Sequence, residues 1–185
     1  MSKFKSIEWL DSGTVRMLDQ RKLPHETIYN DYENYADIAQ AIKDMVTRGA
    51  PAIAVAASYG IAQTALRSDA GDVDALNSEL ASAMDTLAAS RPTAVNLFWA
   101  IDRMKERIAD PALDSVTALK DAVIAEAHAI AEEDVEINKS IGRNAMPLVP
   151  DEATIIHHCN TGSLATMDYG TALGIIRMAH EQGKK

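Results

Sequence analysis

A single cysteine in 185 residues excludes any disulfide within the chain. Aromatic residues are also scarce, at 5%, so a core must be assembled from Ala, Ile, Leu, Val and Met. Positive charge is in short supply: 18 basic residues face 27 acidic ones, for a net charge of −9. That balance excludes nucleic acid or an anionic lipid surface as a partner held by bulk electrostatics, while a small anion could still be held by a few local arginines. There is no long uninterrupted apolar run. The most apolar segment, Ala50 to Leu66, carries Pro51, Ser58, Gly60, Gln63 and Thr64 and reads as a buried helix, not a membrane span. Met1-Ser2-Lys3-Phe4-Lys5 has no basic-then-apolar leader, so a cytoplasmic protein is expected. The length allows one domain, or a small domain plus part of another.

The pattern predicts a β-hairpin over residues 4–18, with its turn at Asp11-Ser12-Gly13. From Tyr35 the period becomes helical, with Ile38, Ile42, Met45 and Val46 on one face and Asn34 or Asp37 near the cap. A second helix is expected from Pro51 to about Leu66, proline being suited to a first turn. Three further apolar stripes follow. They are Leu76, Leu80, Met84 and Leu87; a less strict Val95, Phe98, Ile101, Met104 (or Lys105) and Ile108; and a long one from Val116 through Ile130 to Ile137 and Ile141. Composition changes at Met146-Pro147-Leu148-Val149-Pro150, where a domain boundary is placed. A strand (153–158), a loop and a helix carrying Leu173, Ile175, Ile176 and Met178 then follow, the first unit of a parallel sheet. The expected fold class is therefore mixed α/β. Residues 1–146 form a hairpin and helical domain, and 147–185 open a truncated Rossmann-like domain.

The richest stretch chemically is His158-Cys159-Asn160-Thr161-Gly162-Ser163-Leu164-Ala165-Thr166. A thiol, an amide, hydroxyls and a glycine leave the end of the expected strand, where α/β proteins bind ligands. A helix N-terminus there could lower a thiol pKa, but a lone cysteine is also often a small core residue. Arg48-Gly49-Ala50-Pro51-Ala52-Ile53 joins two helices. It reads either as an anion site, with Arg48 and helix amides, or as a helix C-cap followed by a proline-started helix. Arg91-Pro92-Thr93-Ala94-Val95-Asn96-Leu97 repeats that form, with Thr93 available as a cap. His157 and His158 would face opposite ways on a strand, and no spaced ligand set accompanies them, so no metal is expected. Gly170-Thr171-Ala172-Leu173-Gly174 lacks the spacing of a dinucleotide fingerprint; its glycines are read as packing positions.

These four motifs, taken in chain order, closely resemble the S-methyl-5-thioribose-1-phosphate isomerase family, aldose–ketose isomerases of methionine salvage. Ile7-Glu8-Trp9 and Leu18-Asp19-Gln20-Arg21-Lys22-Leu23-Pro24 are similar to that family's opening. The resemblance covers all 185 residues. It implies a sugar substrate whose C1 is locked as a phosphate ester, with no metal and no redox cofactor. It matches Cys159 to the family's catalytic cysteine, and Arg48, Gly49, Ala50 and Arg91 to its substrate and phosphate contacts. Asn160, Thr161 and Gly162 join the substrate-binding set. Family members continue for roughly another domain, where the general-acid aspartate lies and through which they form homodimers. The resemblance thus implies an N-terminal half, inactive alone, and it assigns no role to Asp168. Related isomerases of 5-deoxyribose 1-phosphate or ribose 1,5-bisphosphate share the fold. So do the regulatory subunits of the translation-initiation guanine-nucleotide exchange factor, which are binding proteins.

Overall fold

The computed structural model describes residues 4–185; Met1, Ser2 and Lys3, read above for a leader, lie outside the described residues. The expected hairpin is present as β1 (Ile7–Trp9) and β2 (Val15–Leu18). A strand that the pattern did not announce, β3 (Tyr29–Tyr32), pairs with β2 on the side away from β1, making an antiparallel sheet in the order β1-β2-β3. Its polar run Tyr29-Asn30-Asp31-Tyr32 hides the alternation. Asp31 sits opposite Arg16 and takes a two-pronged hydrogen bond from it at 2.7 and 2.8 Å. The inner face of the sheet, Ile7, Val15 and Met17, is fully buried.

Six helices complete the fold. Helix α1 (Tyr35–Lys43) starts where the Asn34 side chain accepts the Asp37 amide at 2.9 Å. Met45 lies beyond its end, exposed and at φ 61°, and does not share the buried face of Ile38 and Ile42. Helix α2 (Ala50–Arg67) is central: its residues 52–63 are all buried, which accounts for the near-continuous apolar composition read there. Helix α3 (Val73–Ser90) is capped by Asp72 and buries Leu76, Leu80, Met84 and Leu87, as its stripe predicts.

In α4 (Val95–Ile108) the stripe is displaced. The buried residues are Leu97, Ala100, Ile101 and Met104, whereas Val95 is 78% exposed and Phe98 half-exposed. Helix α5 (Val116–Ala145) is capped by Ser115 and buries Leu119, Val123, Ala127 and Ile130; Ile137 and Ile141 turn to an open cleft instead. Helix α6 (Ala172–Glu181) packs on α5, close enough that a Cβ on Gly142 would meet Met178 at 3.0 Å.

The expected strand over 153–158 is corrected. The segment has no ladder, and Ile156 is 92% exposed. Its backbone contact is a short exchange with the chain's end, in which the Ala153 amide donates to the Lys185 carbonyl and Lys185 donates back to Asp151. The physical reason is that β-branched residues make a strand only against a neighbour, and among the described residues no other strand lies beside these. The mixed α/β class stands, its sheet being the antiparallel one at the N-terminal end.

Candidate functional site

The motifs read from the sequence meet at the N-terminus of α2. Gly49 is the cap residue there, at φ 108°, with no side-chain cap and no acidic residue in the first turn. The first helical bond is Ile53 N–H to the Gly49 carbonyl at 2.9 Å, so the amides of Ala50 and Ala52 have no carbonyl one turn back to bond. Such an end attracts anions. Gly49 is also where the cysteine loop comes closest. A Cβ at this position would lie 2.4–2.5 Å from the backbone and Cβ of Ala165, so only glycine permits the approach.

A cleft of about 380 Å³ opens at this junction. Arg48, Gly49, Ala50, Arg91, Cys159 and Asn160 all line it, so residues from three motifs are brought together. Met45, Pro51, Ala165, Thr166 and Thr171 complete the wall; all but Met45 belong to the quoted motifs, though none was named as a site residue. Thr161 and Gly162 stand behind it. The Thr161 carbonyl accepts the Thr171 amide at 2.9 Å and its hydroxyl accepts the Leu173 amide at 3.1 Å, while Gly162 lies against Gly170 at φ 89°. These contacts knot the two arms of the loop at the start of α6. Cys159 is exposed to the cleft in the left-handed conformation (φ 77°), which a non-glycine residue adopts at a cost of about 1–2 kcal/mol. The second arginine sits in the connection between α3 and α4. Ala94, not Thr93, is the α4 cap residue, and it makes no side-chain cap bond.

The charges sort sharply. Of nine arginines, seven are paired with carboxylates: Arg16 with Asp31, Arg21 with Asp19, Arg67 with Glu33, Arg103 with Glu126 and Glu133, Arg107 with Asp110, Arg143 with Glu136 and Arg177 with Glu181. Arg48 and Arg91 have no such partner among the described residues, and both face the cleft, which no carboxylate lines. Asp168 is elsewhere, buried, accepting the Tyr169 amide at 2.6 Å and lying 3.6 Å from Arg177. A second cleft of about 320 Å³, between α2, α4 and α5, shares Pro51 and Thr171 with the first. Its walls are mainly apolar (Val55, Trp99, Ile130, Ile137, Ile141), with Glu133 and Asp134 its only charges. Burial raises the Asp134 carboxyl above its ordinary value. Among the described residues no three His, Cys, Asp or Glu side chains gather as a metal site, and no helix is long and apolar enough to cross a membrane.

Comparison with known proteins places this arrangement. The methylthioribose-1-phosphate isomerase of Synechococcus sp. is 55% identical over all 185 residues, which make up 53% of that protein. Methylthioribose-1-phosphate isomerase 2 of Pseudothermotoga lettingae is likewise 55% identical over the whole chain, 52% of its own length. Among solved structures, 5-methylthioribose 1-phosphate isomerase from Pyrococcus horikoshii OT3 superposes with a TM-score of 0.93 at 38% identity, covering 99% of this chain and 51% of that one. The translation initiation factor eIF-2B subunit delta from A. fulgidus gives 0.85 at 43% identity, covering 98% and 52%. The chain spans about half the length of the curated relatives it matches. Residues 46–185 match the sequence model of the Initiation factor 2 subunit family, and the chain belongs to that family.

Proposed function

We propose that this chain is the phosphate-binding, cysteine-bearing half of an isomerase that converts 5-methylthioribose 1-phosphate to 5-methylthioribulose 1-phosphate in methionine salvage. The observation that carries the reading is the pair of arginines without carboxylate partners. In a chain of net charge −9, Arg48 and Arg91 are the two arginines without a carboxylate partner among the described residues, and they share one cleft with the open amides of α2. Such a cleft suits the phosphate of a sugar phosphate, and the sole thiol stands on its wall. The relatives named as this isomerase, 55% identical along the full chain, support the substrate.

The reaction is an internal redistribution. The ring oxygen leaves C1 and takes up a proton, C2 gives its hydrogen to C1, and the C2 hydroxyl loses its proton to become the ketone. Arg48, Arg91 and the Ala50 amide hold the phosphate; Asn160, with Thr161 and Gly162 behind it, orients the sugar; Cys159 acts at C2. The acid that opens the ring belongs to the half of the relatives that this chain does not span. The adjoining cleft favours a substrate with an apolar 5-substituent over a bisphosphate. Its walls are aliphatic and aromatic, and the Asp134 carboxylate would repel a second phosphate. Neither metal nor redox cofactor is required in this scheme. The longer protein is read as a cytoplasmic homodimer with residues 1–146 as one domain and 147–185 opening the next, and it has no nucleic-acid or membrane partner.

The test is an isomerase assay on the chain extended through the second half of its relatives. Turnover of methylthioribose 1-phosphate is expected, abolished by Cys159→Ser with sugar-phosphate binding retained. Unchanged kcat in that variant would remove Cys159 from catalysis. Arg91→Ala should weaken binding by about 2–4 kcal/mol, the size of a lost charge-assisted pair. Binding without turnover in the extended wild type would favour a non-catalytic role, nearer to the A. fulgidus relative named as a translation initiation factor subunit.

A further inference from the structure

Three side chains from separate parts of the fold converge on one short run of backbone in the cysteine loop. Ser6, just before β1, donates its hydroxyl to the Thr166 carbonyl at 2.5 Å, across 160 residues. Gln20, just after β2, donates Nε2 to the Leu164 carbonyl at 2.7 Å, across 144 residues. Asp134, in α5, accepts the Met167 amide at 2.7 Å. None of the three lines the cleft of Arg48 and Arg91, but the run they hold does: Ala165 and Thr166 are wall residues, and Ala165 is the one pressed against Gly49.

Gln20 does more than anchor the loop. Its own amide donates to the Val46 carbonyl at 2.9 Å, two residues before Arg48. One residue therefore ties the arginine wall through its backbone and the cysteine-loop wall through its side chain. A loop without a ladder must find partners for its carbonyls and amides elsewhere. Where those partners are side chains, the place of the loop depends on the identity of the residues that supply them. This also gives a use to Leu18-Asp19-Gln20-Arg21-Lys22-Leu23-Pro24, whose similarity to the family's opening had no chemistry attached.

We propose that Gln20, supported by Ser6 and Asp134, is a positioning residue that sets the gap between the Arg48 wall and the cysteine-loop wall, and so the fit of the cleft to its anion. The proposal rests on the anion reading of that cleft.

Cys159, exposed and the chain's only thiol, is a built-in reporter. The experiment follows its alkylation by neutral iodoacetamide while inorganic phosphate is titrated in, with melting temperature recorded alongside. Phosphate should slow alkylation of the wild type. Gln20→Glu, which removes the donor and sets a carboxylate against the Leu164 carbonyl, should raise the phosphate midpoint about fivefold or more, as expected for one lost hydrogen bond. Asp134→Ala, which removes the acceptor, should do the same, and Asp134→Asn, which keeps an acceptor oxygen in place, should restore the wild-type midpoint. A role in stability alone would move melting temperature and leave the midpoint where it was. Equal midpoints in wild type, Gln20→Glu and Asp134→Ala would overturn this proposal alone. Failure of phosphate to protect the wild type would overturn the anion reading and this proposal with it.

Discussion

Adding one methyl group at residue 49 would put it about 2.5 Å from Ala165, at a φ of 108° that side chains avoid. Gly49→Ala should therefore cost about 2–4 kcal/mol, from left-handed strain plus a backbone contact that cannot yield. A urea melt measures the loss, and Gly71→Ala, where an added Cβ meets nothing within 4 Å, is the matched control. Two aspartates make opposite statements about pH. The Arg21 guanidinium, bonded to Asp19 at 2.7 and 2.8 Å, holds that buried carboxyl below its ordinary 3.8. A depressed folded pKa contributes stability that is present above the unfolded value and lost as pH falls through the folded one. Asp19→Asn should thus cost roughly 1–2 kcal/mol at pH 7 and almost nothing in strong acid. Asp134 is raised by burial, so the folded state holds its proton more tightly than the unfolded state and native stability declines as pH climbs through its titration. Asp134→Asn should remove that decline. Stability curves from pH 2 to 7 for both variants check the two signs together.

Helix α4 shows where element-level reading succeeds and where it slips. Its existence was legible from its apolar stripe, but the buried face was displaced to Leu97, Ala100, Ile101 and Met104. Val95 and Phe98 continue an apolar spacing with Ile101, and Ala100, small and ambiguous, gives no vote for the true face. Leu97→Ala should cost about 2–4 kcal/mol and Val95→Ala within about 0.5 kcal/mol, a contrast that thermal melts of the two variants decide. The 153–158 segment slipped for another reason. Thr154, Ile155 and Ile156 have strand-forming side chains, but propensity needs a paired neighbour to act, and pairing is a property of the whole sheet. β3 is the converse: a run whose polar residues hide its alternation is held in register by Arg16 and Asp31 across the ladder. The residues that line the cleft were easier to pick out than the elements around them. Arginine before a turn and helix, glycine where walls must touch, and a lone thiol after apolar residues each carry local chemistry. Gln20, Ser6 and Asp134 carry none locally, since their meaning lies in carbonyls and amides 33 to 160 residues away.

At the scale of the molecule, charge and stability are coupled through the cleft. The surface is acidic, and most arginines neutralise carboxylates at short range, so the long-range field repels anions while the cleft attracts them locally. Binding must be felt by the whole fold, because the walls belong to the α1–α2 connection, the α3–α4 connection and the loop before α6. An anion seated there bridges parts of the chain that unfolding would separate, and a ligand of the native state stabilises it by mass action, about 1.4 kcal/mol at ten times its dissociation constant. Inorganic phosphate should raise the melting temperature of the wild-type chain, and sulfate should do likewise, both against a constant ionic strength set with chloride. In the double variant Arg48→Gln, Arg91→Gln the rise should vanish while the melting temperature without phosphate stays close to wild type, since neither arginine has a carboxylate partner to lose. A phosphate-dependent rise that survived in the double variant would place the anion away from this cleft.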